Sequence, residues 1–251
     1  MRIPFVKMHG LGNDFIIFDN IDNPTIHDTK FINKISDRRL GIGCDQVLII
    51  KNTNMPKYFK MKIYNSDGSE SGACGNGARC VADYLMKKNK LNSLTINSIS
   101  NDLLCTKISN LVTVNMGMPM FDWKEIPLSK EQNTKNVKLD EFEAFCLSMG
   151  NPHAVIFISN IEELENMDIK SIGPRLEKHS IFPKYANIEF VSVLEDKSLR
   201  MRVWERGVGI TSACGSGACA TLVAASVLDK SAKENKIVLD GGDLFIKWLD
   251  N

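Results

Sequence analysis

Residues 60–78 read KMKIYNSDGSESGACGNGA, and residues 200–218 read RMRVWERGVGITSACGSGA. The two align without a gap. Lys60 to Tyr64 match Arg200 to Trp204, and Ala73-Cys74-Gly75-Asn76-Gly77-Ala78 matches Ala213-Cys214-Gly215-Ser216-Gly217-Ala218. A second match precedes each: Gly12-Asn13 followed by DFIIF, and Gly150-Asn151 followed by PHAVIF. Two matched segments in the same order and at nearly the same offset mark an internal duplication. The boundary is expected near Gly117–Asp122, where GMPMFD interrupts the strand-like LVTVNM, so that the halves run over 1–117 and 118–251.

Local structure follows from the pattern. KMKIY and RMRVW alternate polar and apolar residues, which suits half-buried strands. Turns follow, at Asp67-Gly68-Ser69 in the first half and around Gly207 and Gly209 in the second. After each A-C-G-x-G a helix is expected. Ala78, Val81, Ala82 and Leu85 fall on one helical face, while Leu222 to Leu228 is apolar nearly all round and is predicted to be buried. The rest reads mostly as short β segments (VTVNM, HAVIFIS, IEFVSVL, KIVL, LFIKW). The expected fold is α+β, in two pseudo-symmetric domains, each a β-barrel-like sheet wrapped round a central helix.

Composition narrows the function classes. Charges nearly cancel, with 31 basic and 30 acidic residues in 251, so nothing points to nucleic acid as a partner. No stretch approaches the roughly 20 apolar residues of a membrane helix, and the N-terminal MRIPFVKMHGLGNDF lacks the apolar core of a signal peptide. A cytoplasmic location and no membrane partner are therefore expected. The seven cysteines cannot all pair, and none lie in zinc-like C-x-x-C spacing. Cys105 and Cys146 read as buried small hydrophobes.

Cys74 and Cys214 need another account. Each stands just before a Gly-x-Gly that opens a helix, where unpaired N–H groups and the positive dipole end favour a thiolate and hold anions. A pseudo-twofold packing would bring both helix N-termini to one cleft. A bound carboxylate would then take N–H groups from both, with its α-carbon between two sulfurs. One thiolate would remove the α-proton from one face and the other thiol would protonate the opposite face, the N–H donors stabilising the carbanion. The residues alone leave three readings open: paired catalysis, a redox pair, or two structural cysteines.

At these residues the chain resembles the diaminopimelate epimerase family. The carrying motifs are HGLGNDF (9–15), RRLGIGCDQ (38–46), NSDGSESGACGNGARC (65–80), GNPHAV (150–155), NIEFV (187–191) and WERGVGITSACGSGACA (204–220). The resemblance implies interconversion of LL- and meso-diaminopimelate, without pyridoxal phosphate, metal or other cofactor, for lysine and cell-wall precursor synthesis. It makes Cys74 and Cys214 the acid–base pair. It gives Gly75-Asn76 and Gly215-Ser216 the reacting carboxylate through backbone N–H groups, and places Asn13 and Gln46 along the reacting end. Asn65, Asn151, Asn187 and Arg206 would grip the distal amino-acid end, with Glu205 and His153 near the thiols, relaying protons or holding the distal amine. Each has a plainer alternative: a turn former at Asn65, a cap at Asn13, a buried structural histidine at His153, a surface Glu205–Arg206 ion pair. Ile210 stands where the family usually has Glu, and Ser216 where Thr is common. Family chains usually run past a segment like GGDLFIKW into a further strand; this chain stops at Asn251, so that strand is expected to be missing. A homodimer is allowed by the sequence without being required.

Three rival functions remain at this stage. A proline or hydroxyproline epimerase would keep the fold but leave Asn65, Asn187 and Arg206 with little purpose. A thiol redox switch would show no turnover under reducing conditions. A binder without catalysis would hold an amino acid without exchanging its α-proton.

Overall fold

The computed structural model describes residues 2–20, 23–72, 74–99 and 101–249; Ala73 of the repeat lies outside them. The chain divides into two compact units, Met1–Met116 and Gly117–Asn251.

The first unit contains β1 (Val6–Gly10), β2 (Asn13–Asp19), a 3-10 turn (Pro24–His27), α1 (Thr29–Ser36), β3 (Gln46–Asn52), β4 (Tyr58–Asn65), β5 (Glu70–Ser71), α2 (Gly75–Asn89), β6 (Ser93–Asn97), β7 (Asp102–Ile108) and β8 (Leu111–Val114). Its sheet runs β1-β2-β3-β4-β6-β7-β8, with β5 beside β4. The β2–β3 and β4–β6 pairs are parallel and the others antiparallel. Parallel neighbours need a crossover, and α1 and α2 lie on those two.

The apolar strands FIIF and VLII are buried on both faces, so alternate residues feed different cores. Phe15, Ile17, Leu48 and Ile50 join Ala78, Val81, Ala82 and Leu85 of α2. Ile16, Phe18, Val47 and Ile49 join Ile26 and Ile32 on the other side. Each such large apolar side chain contributes about 1.5–3 kcal/mol on burial. The pattern expected for α2 is therefore the one observed, and Lys87 and Lys88 occupy its last turn, where cations suit the dipole.

The second unit contains β9 (Val137–Leu139), β10 (Phe142–Ser148), β11 (Pro152–Phe157), α3 (Ile161–Asn166), α4 (Ile169–Glu177), β12 (Asn187–Val193), β13 (Leu199–Glu205), β14 (Gly209–Ile210), α5 (Gly215–Val227), β15 (Glu234–Leu239) and β16 (Gly242–Lys247). Its sheet runs β16-β15-β13-β12-β11-β10-β9, with β14 beside β13. From β10 to β16 the pairings repeat those from β1 to β7, parallel and antiparallel in the same places. The duplication read from the sequence is thus a duplication of topology. Helix α5 packs on β10 to β13 and on β15 and β16, and its Leu222, Val223, Ala224 and Ala225 are buried, as an all-apolar helix requires.

The short helices α1, α3 and α4 stand where mostly strands were expected. Each opens at an Asx cap: Asp28 accepts from the Phe31 N–H, Asn160 from Glu162 and Asp168 from Ser171. These caps were visible in the sequence, but the helices are only six to nine residues long, too short for a strong helical period. No helix among the described residues is long and apolar enough to cross a membrane.

Candidate active site

Both A-C-G-x-G segments fold the same way. Cys74 and Cys214 are the N-cap residues of α2 and α5, in extended conformation, and each sulfur accepts the Gly77 or Gly217 backbone N–H at 3.3 Å. Ser, Thr, Asp and Asn are the usual residues at this position. A cysteine there puts its sulfur against an unpaired helix N–H, a partner that favours the thiolate. Cys105 and Cys146 are fully enclosed, and burial pushes the Cys105 thiol up to about 12.

In the first unit, Asn13 begins β2. Its Nδ2 donates to Asp45 Oδ2 at 3.0 Å, while its Oδ1 lies 3.7 Å from Cys74 Sγ and 3.5 Å from Asn76 Nδ2. Asn76 is buried and accepts from Arg79 at 2.6 Å. Gln46 Nε2 donates to Asn65 Oδ1 at 3.0 Å, and Asn65 Nδ2 donates to Ser69 Oγ. Gln46 Oε1 is buried with no hydrogen-bond partner, an open acceptor beside Asn65. The turn at Asp67-Gly68-Ser69 forms as expected, with Gly68 at positive φ.

An acidic and basic cluster holds Asn13 in place. Asp14 pairs with Lys7 and Arg38, Arg38 also pairs with Asp45, and Asp14 and Asp45 each accept the other's backbone N–H. Burial pushes the Asp14 carboxyl up, but its hydrogen bonds to Arg38 and Lys7 outweigh this and hold it well below the ordinary 3.8. A depressed carboxyl pKa stabilises the fold fully above the unfolded value and loses that effect as pH falls through the folded one. We therefore expect Asp14→Asn to lower stability by about 1–2 kcal/mol at pH 7. The gap to the parent should narrow on acidification below pH 3.8. Urea midpoints at pH 7 and pH 2.5 measure both, and an equal gap at the two pH values would refute the assignment.

The second unit brings together Asn151, His153, Asn187, Glu205, Cys214 and Ser216. It also brings in Glu189, which the sequence reading did not single out. His153 and Glu189 are both fully buried, with Nδ1 and Oε1 2.6 Å apart, and His153 Nε2 lies 2.9 Å from Asn151 Oδ1. Asn151 Nδ2 reaches Ser216 Oγ at 3.4 Å, and that hydroxyl lies 3.6 Å from Cys214 Sγ. Asn187 bridges the backbone: Nδ2 donates to the Pro152 carbonyl and Oδ1 accepts the Arg206 N–H at 2.9 Å. One Nδ2 hydrogen and one Oδ1 lone pair of Asn187 are left over for other partners.

Glu205 and Arg206 go separate ways. The Glu205 carboxylate takes the Thr211 hydroxyl and meets Cys214, whereas the Arg206 guanidinium is exposed and donates to the Lys184 carbonyl at 3.3 Å. The turn that carries them is pinned by a second residue missed in the sequence, Glu177. It is buried and accepts from Trp204 Nε1 at 2.7 Å and from the Gly207 N–H at 2.8 Å. Neither acid lies in a run that signals a polar role. Glu189 sits inside the strand motif NIEFV and Glu177 at the end of a short helix.

Burial pushes the Glu205 carboxyl above its usual value, against the pull of Thr211. Burial, then Glu205 and Glu189, push the Cys214 thiol well above its ordinary value, outweighing the Gly217 N–H. At Cys214, burial first and then the two carboxylates oppose the pull of the helix N-terminus towards the thiolate. Among the described residues no group of three or more His, Cys, Asp or Glu side chains is arranged to hold a metal ion.

The two units share one fold, and each presents a cysteine at the N-terminus of its long helix. The fold is shared with a "predicted epimerase" from Pseudomonas aeruginosa (TM-score 0.66, 14% identity, 97% of this chain and 90% of that one). It is also shared with a probable proline racemase from Agrobacterium radiobacter (TM-score 0.65, 12% identity, 95% and 82%). At these identities the likeness concerns the fold. The sequence goes further. The diaminopimelate epimerase family model matches residues 5–121 and 145–251. Diaminopimelate epimerases of Rhodospirillum centenum (44% identity, 97% of this chain, 84% of the relative) and Acidiphilium cryptum (43%, 99% and 90%) align with nearly the whole chain. The chain belongs to the diaminopimelate epimerase family.

Proposed function

We propose that this chain interconverts LL- and meso-diaminopimelate by a two-thiol acid–base reaction, without pyridoxal phosphate or metal, in lysine and peptidoglycan precursor synthesis in the cytoplasm. The observation that carries the reading is the pair of N-capping sulfurs, each on the N–H of the third residue of its helix, in a chain of this family.

The reaction needs a base and an acid. A thiolate takes the α-hydrogen as a proton; the C–H bond breaks and its electron pair stays on the α-carbon, shared with the carboxylate. The other thiol gives its proton to that carbon and becomes the thiolate. Cys74 and Cys214 are this acid–base pair, one serving as base and the other as acid, with the roles exchanged for the opposite direction. The N-terminal N–H groups at Gly75-Asn76 and Gly215-Ser216 receive the reacting carboxylate and stabilise the charge that develops on it. Gln46 Oε1 offers the open acceptor that an ammonium group needs. Asn65, Asn151, Asn187 and Arg206 hold the distal end, Arg206 taking its carboxylate in a fork.

Incubating the reduced protein with LL-diaminopimelate in D2O tests this. Formation of meso product carrying α-deuterium is expected. Turnover of proline or hydroxyproline instead would change the substrate, and no exchange by a folded, reduced protein would reject the epimerase reading.

A further inference from the structure

The two halves differ at the places that matter for charge. In the parallel pairs β2–β3 and β11–β12, Phe15 faces Gln46 as His153 faces Asn187, and Ile17 faces Leu48 as Val155 faces Glu189. The register thus equates Phe15 with His153 and Leu48 with Glu189. The helices agree. A Cβ placed on Gly77 would lie 3.1 Å from Leu48 Cδ1, and one on Gly217 would lie 2.7 Å from Glu189 Oε1. An apolar pair therefore fills beneath α2 the place that a buried acid and imidazole fill beneath α5. Such a pair gives up stability relative to an apolar one, so its use has to be sought in what it does to its neighbours.

His153 has an oxygen at each ring nitrogen, Glu189 Oε1 at Nδ1 and Asn151 Oδ1 at Nε2. A proton on each nitrogen would let both donate, Nδ1 to Glu189 and Nε2 to Asn151. The other titratable groups around the pair are Cys146 on β10, Glu205 at the end of β13 and Cys214 at the start of α5. With its Oδ1 taken, Asn151 turns its NH2 group to the N-terminus of α5, beside Ser216 and Cys214.

We propose that Glu189 is a positioning residue which, through His153, sets the polarity of the Asn151 amide, so that N–H donors and not the carbonyl oxygen face the anionic substrate. The proposal rests on the epimerase reading for its substrate, and on the geometry alone for its proton arrangement. A neutral glutamine at 189 would accept the Nδ1 proton and leave Nε2 with a lone pair. Asn151 would then rotate to donate into it and present its oxygen to a carboxylate.

The test is long-range 1H–15N spectroscopy of the reduced, 15N-histidine-labelled protein at pH 7.5, with the His153 signals identified by their loss in His153→Phe. Two protonated ring nitrogens are expected in the parent and one in Glu189→Gln. In turnover, Glu189→Gln should raise KM for LL-diaminopimelate about ten- to hundredfold with a smaller change in kcat. Asn151→Ala should do the same, and the double variant should rise no further, because both changes remove one interaction. A single protonated ring nitrogen in the parent, or KM effects that multiply in the double variant, overturns the proposal. A parent with the two-proton signature but no activity on LL-diaminopimelate would instead overturn the epimerase reading and leave the proton arrangement standing.

Discussion

Cys74→Ala and Cys214→Ala are each expected to slow epimerisation by about 10²- to 10⁴-fold, the range of a lost general acid or base. The double variant should lose little more than either single one, because an acid and a base acting on one carbon work as a unit. Alanine also removes a helix cap, since each sulfur accepts the N–H of Gly77 or Gly217; that costs about 0.5–2 kcal/mol of stability. Serine separates the two effects. Its hydroxyl is a good N-cap but a far weaker acid than a thiol, so Cys74→Ser and Cys214→Ser should recover most of the melting temperature and little of the rate. Thermal melts beside initial rates under reducing conditions make the comparison. A cysteine whose alanine variant keeps a tenth or more of the parent rate is not part of the acid–base pair.

Gly217→Ala is expected to be far more damaging than Gly77→Ala, although the two glycines hold the same position in the two helices. At Gly77 the nearest neighbour of an added methyl is the Leu48 Cδ1 methyl at 3.1 Å, the far end of a flexible side chain. At Gly217 it is Glu189 Oε1 at 2.7 Å, with Cys214 Sγ at 3.2 Å. That oxygen cannot swing away freely, because it is buried and held 2.6 Å from His153 Nδ1. Something must shift, and the groups at hand are the thiol and the pair that positions Asn151. Overpacking of this kind costs about 1–3 kcal/mol, and a displacement near 1 Å at a reacting group costs about a hundredfold in rate. We expect Gly217→Ala to lower kcat/KM by about 10²-fold and Gly77→Ala to stay within about fivefold of the parent. Equal effects at the two sites would mean that Glu189 does not crowd α5.

Much of the fold was legible because its signals are local. The repeat of KMKIY and RMRVW, with A-C-G-x-G following each, carried the duplication, the central strands and the start of both long helices. The short helices were less legible, since six to nine residues show little period and only their Asx caps mark them. Within the candidate site, the amides behave as side chains with two ends. Asn65 joins Gln46 to Ser69, and Asn187 joins Pro152 to the Arg206 N–H. No sequence spacing encodes those partners, because they lie on neighbouring strands.

The sequence by itself determined which two cysteines stand at helix starts and that the two halves share one plan, because capping and strand alternation depend on residues a few positions apart. Only the tertiary structure decided that the halves differ electrically. Leu48 and Glu189 are far apart in the chain and alike in place, and the difference appears when strand register and helix packing set each beneath its glycine. The charge state of a thiol follows from its whole surroundings. For Cys214 those surroundings include carboxylates from β12 and β13 that come together only in the folded sheet.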